Sequence, residues 1–178
     1  MQKLGTVVCV GALLTWAAAL PAHAQDPSPP YELRSRADLC LQPEGGMNSW
    51  NGAIIRQMPC DPSDPSQLWT PKVVSTYPDR TIARIENAAT HLCLDLTDGN
   101  TADGTPLQQW ECNLTSNTML WALDATAFGI KFVNGRSGKC MDRRGGSFLP
   151  GTVIQNYHCA DLPNGRTNFA QRFDWTER

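Results

Sequence analysis

Two stretches of the sequence place an acid, an amide and an aromatic ring at the same spacing between a pair of cysteines. One begins Cys93-Leu94-Asp95 and closes on Gln108-Gln109-Trp110-Glu111-Cys112; the other begins Cys140-Met141-Asp142 and closes on Gln155-Asn156-Tyr157-His158-Cys159. An ionised carboxylate has several acceptor sites and makes strong charge-assisted bonds, so it can hold hydroxyls on adjacent carbons together. An amide both donates and accepts, and a flat ring covers the apolar C–H face of a pyranose at little rotamer cost. Amide and ring lie two residues apart, so on an extended strand they share one face. The combination suits a hydroxyl-rich ligand of saccharide type in a shallow cleft.

The elements that position these groups follow from a longer repeat. Cys40 to Cys60 spans 20 residues, and Cys93 to Cys112 and Cys140 to Cys159 span 19 each, which single out three local disulfides among the possible pairings. Beyond each loop comes a closing triplet, Gln67-Leu68-Trp69, Met119-Leu120-Trp121 and Gln171-Arg172-Phe173, and these start 52 residues apart both times. The repeats run over about 31–75, 80–125 and 127–176. Each supports four short strands: an alternating segment (from Tyr31, Ile82 and Gly129), one carrying the first Cys, one leading to the second Cys, and one carrying the triplet. Turn residues such as Gly45-Gly46, Asp98-Gly99, Asp103-Gly104, Gly145-Gly146 and Asn164-Gly165 separate them. The predicted chain is all-β, about twelve strands in three equal groups. Closing them into a three-fold barrel with a hairpin cap removes exposed strand edges. Trp69, Trp121 and Phe173 are its expected core.

The Cys-Leu-Asp, Gln-x-Trp-x-Cys and closing Gln-x-Trp elements resemble the ricin B-chain-type lectin repeat, over essentially all of the chain beyond its first thirty or so residues. The resemblance implies a β-trefoil and carbohydrate binding. It implies a second-repeat site of Asp95, Gln108 and Trp110, with Asn117 as the nearest amide to the family's polar pair, replaced here by Thr118 and Met119. It implies a third-repeat site of Asp142, Gln155 and Tyr157 with Gln171 from the triplet, Asn168 reaching in where Ala170 replaces the family's Asn. In the first repeat Gln42, Arg56 and Met58 stand at the positions of acid, amide and ring, so that copy is expected to be structural, with Trp50 left for another contact surface. Gln67 and Gln171 also fit a second role, satisfying backbone groups beneath the pockets, and Asp95 and Asp142 could brace local turns.

Lys3, the apolar run Leu4–Leu20 and Ala22-His23-Ala24 read as a signal peptide cleaved after Ala24, which would remove Cys9. Residues 25–30 read as a Pro-rich linker and 31–178 as the lectin domain. The remainder carries 14 Lys and Arg against 17 Asp and Glu, about −3, without the basic stripe of a nucleic-acid binder. It has no run long enough to span a membrane. Six cysteines in an exported chain indicate an oxidising compartment, secreted or periplasmic. No CxxC pair marks a metal site and no cofactor is called for. Of the histidines, His91 and His158 adjoin or lie close to strand cysteines, where packing is expected. Asn113-Leu114-Thr115 fits a glycosylation acceptor. Catalytic motifs are missing, and Asp95 and Asp142 sit in different repeats, too far apart for a glycosidase pair. The expected activity is a non-enzymatic lectin for galactose-type or related glycans. The alternative is the cell-binding or scaffold subunit of a bacterial toxin, similar to cytolethal distending toxin lectin-like subunits, with a toxin protein as partner. A trefoil protease inhibitor would need the loop around Asn164 as its reactive loop.

Overall fold

A computed structural model describes residues 30–160 and 168–178. The predicted signal peptide, all of the linker but Pro30, and the loop around Asn164 lie outside the described residues. Twelve strands occur among those described: β1 (Tyr31–Ser35), β2 (Cys40–Pro43), β3 (Ile55–Met58), β4 (Leu68–Thr76), β5 (Thr81–Asn87), β6 (Cys93–Leu96), β7 (Thr105–Trp110), β8 (Trp121–Thr126), β9 (Gly129–Asn134), β10 (Cys140–Arg143), β11 (Ile154–Tyr157) and β12 (Phe173–Thr176).

Six of them close on themselves, β1 to β4, β4 to β5, β5 to β8, β8 to β9, β9 to β12 and β12 back to β1, every pairing antiparallel. Closure leaves this barrel without an edge strand. The other six form the hairpins β2/β3, β6/β7 and β10/β11, each attached to the first strand of its own repeat. The hairpins meet as a cap through β7 with β11 and through the bridges Ile54 to Gln108 and Arg56 to Val153. This is the β-trefoil expected from the repeat. No helix among the described residues is long and apolar enough to cross a membrane.

The alternating strands turn one apolar row inward. Leu33, Leu41, Ile55, Trp69, Ile85, Leu94, Leu107, Trp121, Phe132, Met141, Ile154 and Phe173 form one buried cluster. Trp69 and Trp121 donate their indole N–H to Leu41 O (2.8 Å) and Leu94 O (3.2 Å), while Phe173 in the same position packs edge-on against Phe132. The disulfides are Cys40–Cys60, Cys93–Cys112 and Cys140–Cys159, as the spacing predicts. Each fastens the start of a cap hairpin to the chain just beyond its end. In the entropy model each stabilises by about 3 kcal/mol. The tightest grouping of potential metal ligands among the described residues is Glu32 with Cys40 and Cys60, whose sulfurs are already joined to each other.

Three buried amides tie the repeats together at the cap. Gln57, Gln109 and Asn156 each accept from a hydroxyl of their own repeat, Ser35, Thr90 and Ser137. Each then donates to the hairpin turn of a neighbouring repeat: Gln57 to Ser147 O and Leu149 O, Gln109 to Ser49 Oγ and Trp50 O, Asn156 to Thr101 O and Ala102 O. A buried amide left unpaired is costly, so this cyclic exchange fixes how one repeat's turn sits beside the next repeat's strands. That juxtaposition shapes the sites described next.

Candidate functional site

In the third repeat Asp142 of β10 lies directly opposite Gln155 of β11. Both are almost completely buried, and Gln155 Nε2 donates to Asp142 Oδ1 at 2.9 Å. Gln171 Nε2 donates to Oδ2 at 3.2 Å and to His158 O at 2.9 Å, while Ala160 N donates to Gln171 Oε1. Gln171 is fully buried, so it holds the acid from beneath and satisfies the backbone. Burial raises the carboxyl of Asp142 above its ordinary pKa, against the bonds from Gln155 and Gln171 and the charge of Arg143. The Tyr157 ring stands beside the acid, against the His158 imidazole at 4.4 Å between centroids. Asn168 caps the 3-10 turn Phe169–Gln171 by accepting from Ala170 N. Asp142, Gln155, Tyr157, Asn168 and Gln171 converge on one open cavity of about 500 Å³, with Arg144 and His158 on its rim.

The second repeat repeats the plan with one partner missing. Asp95 of β6 faces Gln108 of β7, and Gln108 Nε2 donates to Asp95 Oδ2 at 3.0 Å. Met119 replaces the lower glutamine; its sulfur takes the backbone N–H of Asn113 at 3.2 Å but has nothing to donate to the acid. Asp95 Oδ1 is accordingly buried with no hydrogen-bond partner. Trp110 is 43% exposed beside it. Asp95 and Trp110 line a cavity of about 460 Å³ with Glu111, Asn113, Ser116 and Thr118. Asn117 is exposed and outside this lining. The residue that caps the turn here is Ser116, accepting from Thr118 N. Ser116 lies 52 residues before Asn168 and 52 after Asp64, which caps the first repeat's turn. The repeat interval applied to Asn168 would have found it.

In the first repeat Gln42 donates to Asp64 Oδ2 (2.9 Å) and accepts from Gln67 Nε2 (3.1 Å). An amide thus occupies the acid's position there and bonds the acid that caps the turn. Arg56 fills the amide's position, bonding Glu44 Oε1 and Gly151 O, beside a smaller cavity of about 330 Å³.

Sequence spacing also leaves out a contact that the preceding repeat makes with each hairpin. Gly52, in the first repeat's turn, leaves space against Trp110: a Cβ there would lie 3.5 Å from the ring. Gly104 plays the same part beside Gln155, and its carbonyl accepts from Arg144. Nor do the histidines pack inside. His91 is exposed beside Glu86, and His158 reaches Asp103 at 2.8 Å on the surface. Phe148 lies over the buried Arg143 guanidinium, whereas Trp50 lies over Gly45, so the two exposed rings have different supports.

The closed six-strand barrel, three-fold hairpin cap and repeated acid–amide–ring clefts define a β-trefoil of lectin type. A family model described as ricin-type beta-trefoil lectin domain-like matches residues 16–110 and 79–157, and the chain belongs to that family. No curated protein matches it in sequence. Solved structures share the fold. A designed 3-fold symmetric protein, ThreeFoil, is 20% identical with a TM-score of 0.70, over 83% of this chain and 98% of that one. An exo-beta-1,3-galactanase from Clostridium thermocellum is 24% identical with a TM-score of 0.69, over 85% of this chain, which spans only 31% of the galactanase chain. The Haemophilus ducreyi cytolethal distending toxin is 13% identical with a TM-score of 0.63, over 88% of this chain and 86% of that one.

Proposed function

We propose that the protein is a secreted, non-enzymatic carbohydrate-binding module that takes galactose-type or related glycans in the second- and third-repeat clefts. The observation that carries this reading is the repeated geometry: a buried carboxylate oriented by a glutamine amide, with an aromatic ring beside it in an open cleft. Gln155 and Gln171 hold Asp142 so that its remaining lone pairs are left for hydroxyls, and Tyr157 offers a face for the sugar's C–H groups. Fixing the acid beforehand reduces the ordering cost of binding a flexible, hydrated ligand. Each shallow cleft alone is weak, and two on one rigid body gain by bridging a glycan surface. The three disulfides suit the extracellular compartment this role requires.

A second reading, a delivery or scaffold subunit of a toxin, is favoured by the fold shared with the cytolethal distending toxin chain and by the incomplete second-repeat site. A glycan array separates the two. Wild type should bind galactosides while Asp95→Asn/Asp142→Asn, folded by circular dichroism, should not. Silence from folded wild type, with capture of a toxin polypeptide, would favour the second.

A further inference from the structure

The two clefts differ in charge at two equivalent positions. Four residues after the first cysteine of each loop stand Thr97 in the second repeat and Arg144 in the third; one residue before the second cysteine stand Glu111 and His158. Thr97 turns its hydroxyl to Pro106 O and is outside the second cavity's lining, whereas Arg144 lines the third. Arg144 is exposed yet held: Nε donates to Gln155 Oε1 at 2.9 Å and Nη2 to Gly104 O at 2.8 Å, leaving Nη1 without a partner among the described residues. The guanidinium is thus fixed by the same amide that orients Asp142. The second cleft instead presents two carboxylates, Asp95 and Glu111, and no cation in its lining.

We infer that the third-repeat cleft prefers an acidic saccharide, its carboxylate or sulfate paired with Arg144 while ring hydroxyls bond Asp142, and that the second-repeat cleft takes the neutral sugar and repels the acidic one. This rests on the proposed saccharide function and names the ligand class of each cleft. Arg144 suits the role because its planar fork matches an oxyanion and two of its nitrogens are already immobilised. The division also gives the two clefts different targets on one glycan: a charged residue in one and a neutral residue in the other.

The test uses two single-cleft proteins, Asp95→Asn for the third cleft and Asp142→Asn for the second. Each is titrated calorimetrically with methyl β-galactoside, methyl β-galacturonoside and the 3-O- and 6-O-sulfated galactosides. The third-cleft protein should bind at least one anionic form about tenfold more tightly than the neutral sugar, a preference that Arg144→Gln in the same background reduces to about onefold. The sulfated and carboxylated arms identify which oxyanion is preferred. The second-cleft protein should prefer the neutral sugar. Equal binding of neutral and acidic sugars by the third cleft, or a preference that survives Arg144→Gln, overturns the inference while leaving the lectin reading intact. Absence of all binding by both folded proteins and by wild type overturns the lectin reading itself.

Discussion

The second and third clefts are built on the same plan and differ most in the floor. Asp142 is held by two glutamines, one on each oxygen, whereas Asp95 has one, because Met119 replaces the lower glutamine and leaves Oδ1 buried and unpaired. Met119 still fills the volume and still takes the backbone N–H that Gln171 takes in the third repeat. The fold therefore tolerates the substitution, and what is lost is one donor to the acid. Packing and ligand orientation are separable here: a residue can keep its structural half and drop its functional half. The first repeat goes further: an amide, Gln42, stands at the acid's position and bonds the capping acid Asp64, a contact that the acids of the other two repeats do not make with their capping residues.

The largest expected effect is loss of either acid. Asp142→Asn in an Asp95→Asn background should weaken binding about a hundredfold, since two charge-assisted bonds to hydroxyls go with it; calorimetry on folded protein checks this, and binding that persists would separate Asp142 from the site. Next, Gln171→Met should turn the third floor into the second, lowering affinity about tenfold and stability by about 1–3 kcal/mol as a buried acceptor loses its partner. Met119→Gln is the reverse experiment, with a gain of about 1 kcal/mol in denaturant unfolding and a second cleft about fivefold tighter. Failure of both swaps would mean that the floor does not distinguish the clefts.

pH should separate the third cleft's stability from its binding. Burial raises the Asp142 pKa above its ordinary value, despite the bonds from Gln155 and Gln171. Binding through the ionised carboxylate should therefore fall as pH drops through that raised value, sooner than for an unperturbed aspartate. The stability contribution runs the other way: because the folded pKa lies above the unfolded one, it is fully present below the unfolded pKa and is lost as pH rises through the folded one. The Asp142 part is read as the difference between wild type and Asp142→Asn in titrations and unfolding midpoints from about pH 3 to pH 7, because Glu32, Asp61, Asp79 and Asp103 are shifted downward and act on stability with the opposite sign. The smallest effect is expected from Gly52→Ala. Its φ of +88° disfavours a side chain, while the added Cβ would make only ordinary contact with Trp110 at 3.5 Å, so the change should cost about 1 kcal/mol and leave third-cleft affinity unaltered.

Most of the fold is legible in the sequence because it is written three times. Equal cysteine loops, triplets at a fixed interval and strands punctuated by glycine turns fix the repeat, and with it the disulfides and the buried Trp69, Trp121 and Phe173. The pairing of acid with amide in the second and third repeats is legible because both lie on one hairpin, although Gln108 sits behind Asp95 and outside the second cavity's lining. Asn117 stands outside the second cavity because the 52-residue register lands on Ser116 and not on the nearest amide. Gly52, Gly104 and the hold on Arg144 were out of reach because they arise where one repeat's turn meets another repeat's strand, a contact set by the Gln57, Gln109 and Asn156 amides and not by local spacing.

The most direct test is a crystal structure of the protein with the tightest-binding glycan from the array. The account predicts a sugar ring stacked on Tyr157 with adjacent hydroxyls on the Asp142 carboxylate, Gln171 still beneath it. A saccharide bound outside both the Asp142 and the Asp95 clefts would contradict it.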